Sequence, residues 1–78
     1  MKTTVEEALG LIGIDSSQVI RSTSVDCKDY ILFGSYKGEQ IDVMDNGIDF
    51  IVCLGLGRKN YKIHKLTKKI EEFQIFVA

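Results

Sequence analysis

The residue types with the most chemical potential in this 78-residue chain are one histidine, His64, and two cysteines, Cys27 and Cys53. A thiol beside an imidazole is the starting arrangement of a thiol nucleophile or a metal site. The strand pairing derived below places His64 opposite Cys53, but it supplies no third ligand and no acid to orient the imidazole. The pattern therefore favours a structural cysteine beside a surface histidine. We expect a non-enzymatic chain with no catalytic residue, no metal and no cofactor.

Two further clusters have the composition of ligand sites but the wrong spacing. Asp42, Asp45, Asn46 and Asp49 offer oxygen ligands, yet their spacing differs from a calcium-binding loop, and Asx residues also serve turn geometry. The segment 55–59, Gly-Leu-Gly-Arg-Lys, is similar to a phosphate-binding loop only in outline. Such loops open into a helix, whereas a strand pattern follows here. Both clusters are expected to be structural.

The cysteines and the N-terminal segment indicate the cellular compartment in which the chain is expected to reside. Pairing along the predicted strands separates Cys27 from Cys53 by about 26 Å at strand rise. A disulfide needs Cα atoms within about 7 Å, so both thiols are expected to be free. Two cysteines favour the reducing cytoplasm over a secreted disulfide scaffold. Residues 1–12 contain Glu6 and Glu7, which argues against a signal peptide, and no apolar run approaches a membrane span.

Charge is distributed unevenly along the chain, whose formal net charge is −1. Residues 58–69 hold six Lys or Arg and no acid, whereas the rest holds four Lys or Arg and eleven Asp or Glu. A basic stretch can follow a nucleic-acid backbone. The candidate contacts are Arg58, Lys59, Lys62, His64, Lys65, Lys68 and Lys69. The acidic total and the lack of an aromatic stacking platform make nucleic-acid binding the second choice.

The elements that must position these residues begin with a short helix. Residues 3–7, Thr-Thr-Val-Glu-Glu, contain two overlapping Thr-x-x-Glu capping boxes. Gly13 is expected to end the helix, and an extra strand is an option near Val19. The apolar stripe at helical spacing consists of Val5, Ala8, Leu9 and Ile12.

A hairpin at Asn46-Gly47 anchors the strand register. Asn-Gly between alternating runs favours a two-residue type I′ turn, whose central residues both need positive φ. That turn pairs Val43 with Phe50 and places both on one face of the sheet. A slip of one residue would scatter the apolar side chains over both faces.

Flanking hairpins with loops at 37–38 and 57–60 extend this register, and the second loop pairs Leu54 with Ile63. Together the hairpins define a first face, which is expected to form the core. Its members are Tyr30, Leu32, Ile41, Val43, Phe50, Val52, Leu54, Leu56 and Ile63.

The opposite, second face is more apolar than a solvated sheet face should be. Its apolar members are Ile31, Phe33, Met44, Ile51 and Cys53. Around them lie Gln40, Asp42, Asp49, Lys62 and His64. We expect this face to be covered, either by the same chain or by another molecule.

The C-terminal segment, residues 66–78, is predicted to contain a short amphipathic helix of about two turns. Leu66, Ile70 and Phe73 fall at helical spacing, and Thr67 is a candidate cap. Two turns span only about 11 Å, whereas four strands span roughly 15–20 Å. The helix would therefore leave part of the second face open. The apolar segment 75–77 is expected to pack or pair.

The sequence thus predicts a single α+β domain over residues 1–78. The sheet is a four-stranded antiparallel β-meander between a short N-terminal helix and a short C-terminal helix. The favoured function is a small binding protein, an inhibitor or adaptor, acting through protein–protein contact at the second face. The partner is a protein, a second copy of the chain, or both, and no membrane association is expected.

Overall fold

The computed structural model describes residues 2–22 and 30–74. It contains one antiparallel sheet with six strands in sequential order, one short helix, α1, over Val5–Leu11, and a 3-10 turn over Ser16–Gln18. The strands are β1 (Ile20–Arg21), β2 (Leu32–Tyr36), β3 (Glu39–Asp45), β4 (Asp49–Leu54), β5 (Lys59–His64) and β6 (Ile70–Phe73). The protein is therefore a small α+β fold, but its meander has six strands rather than the predicted four.

Helix α1 forms as the capping pattern predicts. The Thr4 side chain accepts a hydrogen bond from the Glu7 backbone N–H at 3.2 Å, and the Glu7 carboxylate accepts one from the Thr4 N–H at 3.3 Å. Gly13 has a φ of 82° just past the helix, a conformation that glycine adopts without a Cβ penalty. Ala8 and Leu9 are fully buried, so α1 covers the sheet with its apolar stripe.

The first face forms the core, as predicted. Helix α1 and Ile14 pack on it and exclude water from its centre. Burying such a side chain completely stabilises the fold by about 1.5–3 kcal/mol each. The buried members of the face are Leu32, Ile41, Val43, Phe50, Val52 and Ile63.

Two predicted members of the first face do not belong to it. Leu56 is 81% exposed in the loop between β4 and β5. Tyr30 precedes β2, and its ring lies 5.5 Å from the ring of Phe33, a residue of the opposite face. Leu54 is half-buried and packs against the core cluster.

The β3–β4 register was predicted wrongly by two residues, although the β2–β3 register at loop 37–38 is confirmed. Val43 lies opposite Val52 rather than Phe50. Asn46 does not adopt positive φ; its side chain instead accepts hydrogen bonds from the N–H groups of Ile48 and Asp49, at 3.0 and 2.7 Å. A type I′ turn is therefore not formed. The shift is even, so Val43 and Phe50 still share a face.

The β4–β5 loop is also displaced by two residues, from 57–60 to 55–58. Leu54 pairs with Lys59, not with Ile63. Gly55 and Gly57 have φ values of 60° and 89°, so these glycines define the reversal. Because of this displacement, Leu56 lies outside the sheet, whereas the residues within the strands keep their predicted faces.

The predicted C-terminal helix is not formed in residues 66–74. His64 instead organises a turn, because its Nδ1 accepts hydrogen bonds from the N–H groups of Leu66 and Thr67 at 3.2 and 3.1 Å. Strand β6 then pairs with β5, with Ile70 opposite Ile63. Sheet hydrogen bonds to β5 outweigh a short helical pattern that has little to pack against. The prediction for segment 75–77 lies outside the described residues.

Candidate functional site

The register places the second-face side chains in two rows across the sheet. Along one row, from β2 to β6, lie Phe33, Asp42, Cys53, Asn60 and Phe73. Along the next row, from β3 to β6, lie Met44, Ile51, Lys62 and Glu71. The structure therefore brings four of the five predicted contact residues together. Ile31, the fifth, lies just before β2 and is 43% exposed.

The described chain leaves this surface open. Four side chains of this surface are half-buried, those of Phe33, Met44, Ile51 and Cys53. The residue that precedes each of them along its strand lies on the first face and is buried. Helix α1 belongs to the first-face cluster. No helix or strand within residues 2–22 and 30–74 packs on the second face.

Two aromatic members of the second face were missed by the sequence reasoning. Phe73 lies opposite Asn60 and is half-buried. Tyr30 reaches the same face through its contact with Phe33. The alternation in residues 70–73, Ile-Glu-Glu-Phe, is too short to separate a strand from a helical turn, so no strong signal indicated Phe73.

The second face has a carboxyl group within its apolar part. Asp42 lies between Phe33 and Cys53 and receives a long hydrogen bond of 3.5 Å from Gln40 Nε2. Burial raises the pKa of Asp42, and the hydrogen bonds from Gln40 and Cys53 oppose this shift only partly. An acid in this position discourages indiscriminate apolar contacts and favours partners that bring a positive charge.

Cys53 and His64 do not form the predicted pair. Cys53 lies opposite Asp42 and Asn60, and His64 lies opposite Asp49. Burial, and then the negative charge of Asp42, raise the pKa of the Cys53 thiol. A raised pKa lowers the thiolate fraction, which is the reverse of what a thiol nucleophile needs. Cys53 is a free thiol, and Cys27 lies outside the described residues.

The Asn60 side chain connects β5 to the β4–β5 loop and to β6 through hydrogen bonds beneath the second face. It is fully buried, and its Nδ2 donates to the carbonyl oxygens of Gly57 and Phe73 at 2.7 and 3.3 Å. Its Oδ1 has no hydrogen-bond partner in the described part of the chain. These contacts fix the β4–β5 loop and β6 next to the apolar row.

Lys65 is a structural cation rather than a surface contact. Its side chain is 11% exposed, forms an ion pair with Asp45 and lies 5.0 Å from the centre of the Phe50 ring. Its backbone carbonyl accepts a hydrogen bond from the Thr3 N–H at 2.8 Å. Because this ammonium is enclosed, it is not available to bind a phosphate, which corrects its place among the predicted nucleic-acid contacts.

The other cations of the basic stretch are dispersed. Arg58 pairs with Glu39, Lys62 with Glu71 at 3.9 Å, and Lys68 with Glu7 at 3.7 Å. Lys59 and Lys69 are exposed and form no ion pair with residues of the described ranges. They lie at opposite ends of β5, so the stretch does not present one continuous track.

A depression of about 210 Å³ opens at the rim of the second face. It is smaller than the roughly 300 Å³ at which ligand pockets begin, and its lining carries both signs of charge. The lining residues are Asp49, Lys62, His64, Lys69, Ile70 and Glu71. This depression is therefore better suited to a side chain of a partner than to a small molecule.

Residues 2–22 and 30–74 contain no group of three His, Cys, Asp or Glu side chains placed to hold a metal ion. Among the same residues, no helix is long and apolar enough to span a membrane. Comparison of the chain with protein-family models, with curated proteins and with solved structures finds no match.

Proposed function

We propose that this chain is a small non-enzymatic binding protein, of the inhibitor or adaptor type, that associates with another protein through its second face. The observation that carries the proposal is the asymmetry of the sheet. One face is sealed by α1, and the other keeps Phe33, Met44, Ile51 and Cys53 half-buried with no described element above them. Covering apolar surface is favourable by about 25 cal/mol per Å².

The size of the face indicates the kind of contact. Six strands spaced about 4.8 Å apart span about 24 Å, and strands of six residues are about 20 Å long. The projected area is then about 480 Å², below the ~800 Å² per partner of a standard stable interface. We therefore expect weak or transient association, centred on the apolar strip and oriented by Asp42.

The surroundings of Cys53 and His64 support a binding role over catalysis. The Cys53 thiol has a raised pKa, and His64 Nδ1 is occupied by two backbone N–H groups. Two cysteines in a short chain favour the reducing cytoplasm as its location. The dispersed cations of residues 58–69 give less support to nucleic-acid binding, which needs several of them on one track.

Affinity capture from a lysate of the native host tests this proposal. The bait proteins are the wild type, Ile51→Glu in the second face, and Leu56→Glu as a matched control in the β4–β5 loop. Equal unfolding midpoints establish that each bait is folded. We expect one set of proteins to be retained by the wild type and by Leu56→Glu but lost with Ile51→Glu. Equal retention by Ile51→Glu, or no specific retention by the wild type, would contradict the proposal.

A further inference from the structure

Two charges near the middle of the second face lie on opposite sides of its central strand. There β4 contributes two uncharged side chains, Ile51 and Cys53, and its own charge, Asp49, lies at the end of the strand. Strand β3, on one side, carries Asp42, and β5, on the other side, carries Lys62. The middle of the face thus has an acid on one side of an apolar strip and a base on the other, an arrangement that can be complementary to itself.

Asp42 restricts what can cover the face. It forms no ion pair with residues 2–22 or 30–74, and it is already half-buried. A wholly apolar cover would remove its remaining water, which is strongly unfavourable for an unpaired carboxylate. A protein that brings a cation close to Asp42 is therefore a favoured partner for this face.

A second copy of the chain brings such a cation in one orientation. In a two-fold contact, if residue i touches residue j, then j also touches i. An axis running along β4 places β3 of one copy over β5 of the other, so each Asp42 lies over Asn60. Lys62 is the next residue on the same side of that strand, about 7 Å further along, and its flexible stem lets the ammonium reach Asp42.

The same orientation also accommodates the apolar residues. Met44 of one copy lies over the aliphatic stem of Lys62 of the other, while Ile51 and Cys53 face their own equivalents. Asp49, at the end of β4, also faces its own equivalent, a like-charge contact that keeps the association weak. An axis across the strands would instead place β3 over β3 and leave Asp42 without a cation. Lys62 is free to change partner, because its present pair with Glu71 is long, at 3.9 Å, and exposed.

We propose that a second copy of this chain occupies the second face, in a weak two-fold homodimer with reciprocal Asp42–Lys62 contacts. This inference rests on the proposed function, since it names a partner for the same surface. Sheet twist confines close contact to the middle strands, β3, β4 and β5. Self-association and target binding then exclude each other, so dilution releases the binding surface.

Charge reversal tests the orientation. Sedimentation equilibrium of the wild type should show a concentration-dependent mass that approaches two chains. Asp42→Lys and Lys62→Asp should each weaken self-association at least tenfold, because each homodimer would then contain two like-charge contacts. An equimolar mixture of the two variants should form a heterodimer, because both contacts become attractive again. Lys59→Asp, on the same strand at the far end, is the matched control and should dimerise like the wild type.

Each contrary result overturns the inference. A wild type that stays monomeric up to millimolar concentration removes the dimer. Variants that dimerise like the wild type move the interface elsewhere, and a mixture that stays monomeric excludes the two-fold geometry. If a reversal variant does not fold, Asp42→Asn and Lys62→Gln should still weaken the dimer, and unchanged association of both would refute the contact.

The lysate capture separates this inference from the proposed function. A monomeric wild type whose captured proteins are lost with Ile51→Glu would refute the dimer and support the binding role. A dimer with the predicted charge pattern but without captured proteins would support the dimer and refute the binding role.

Discussion

The two faces of the sheet are made by the same strands, yet they differ in polarity and in what lies above them. On the first face, Ile41, Val43, Val52 and Ile63 have no exposed surface, because α1 packs on them. On the second face, the intervening side chains remain half-buried. Alternation along a strand determines which side chains share a face, but not which face is covered.

The largest expected effect is the difference in stability loss between two phenylalanine substitutions on opposite faces. Phe50 is 5% exposed on the first face, and Phe50→Ala should lower the free energy of unfolding by about 3–5 kcal/mol. Phe33 is only half-buried on the second face, and Phe33→Ala should cost roughly 1 kcal/mol. Urea unfolding of both variants measures the difference. Equal losses would mean that the second face is as well packed as the first.

A smaller effect concerns the edge of the sheet and the helix that seals the first face. A Cβ at Gly34 would collide with the carbonyl oxygen of Ile20, so Gly34→Ala must displace β1, at a cost of about 1–3 kcal/mol. Gly10, in α1, is the matched control because nothing lies within 4 Å of its added methyl group. Gly10→Ala should stabilise the fold by roughly 0.5–1 kcal/mol. Thermal unfolding measures both, and a stabilised Gly34→Ala would refute the close approach of β1.

The smallest expected effect is the pH dependence of the stability of the fold, which has opposite signs for Asp45 and Asp42. The hydrogen bond from Lys65, and then the Gly47 N–H, lower the pKa of Asp45 below its ordinary 3.8. The contribution of the Asp45 carboxylate to the stability of the fold is therefore present above pH 3.8 and is lost as the pH falls through the lowered pKa. The raised pKa of Asp42 means that the fold loses stability as the pH rises from 3.8 through that pKa.

Unfolding midpoints between pH 2 and pH 7 measure this contrast. At pH 7, Asp45→Asn should be less stable than the wild type and Asp42→Asn more stable. Both differences should shrink on acidification. A destabilised Asp42→Asn at pH 7, in dilute monomeric samples, would show that the Asp42 carboxylate already has a stabilising partner within the chain.

The fold was predictable where several local signals agreed. The Thr4 capping box and the Lys37-Gly38 turn both form as the sequence predicts. The Asn46-Gly47 hairpin forms with a different register, since the Asn46 side chain caps the loop rather than adopting positive φ. Such competition between side-chain and backbone hydrogen bonds is not visible in a residue pattern.

Which residues of β3 and β4 share the second face was predictable, but their neighbours across the strands were not. Even-numbered register errors kept Met44, Ile51 and Cys53 on one face, yet they gave Cys53 the wrong neighbours. Strand β6, with Phe73, was missed because a short amphipathic segment has the same composition in a helix and in an edge strand. The enclosure of Lys65 depends on residues distant in sequence, Asp45 and Phe50, and a run of basic residues does not reveal it.

The central claim is that residues 2–22 and 30–74 of a single chain leave its second face open to water. Paramagnetic relaxation of methyl groups by a soluble, uncharged agent tests it most directly, at a dilution where the chain is monomeric. We predict strong relaxation of the Ile51 and Met44 methyl groups and weak relaxation of those of Ile41 and Ile63, which the first face buries. Methyl groups of Ile51 and Met44 as protected as those of Ile41 would contradict the account, because the second face would then be covered by its own chain.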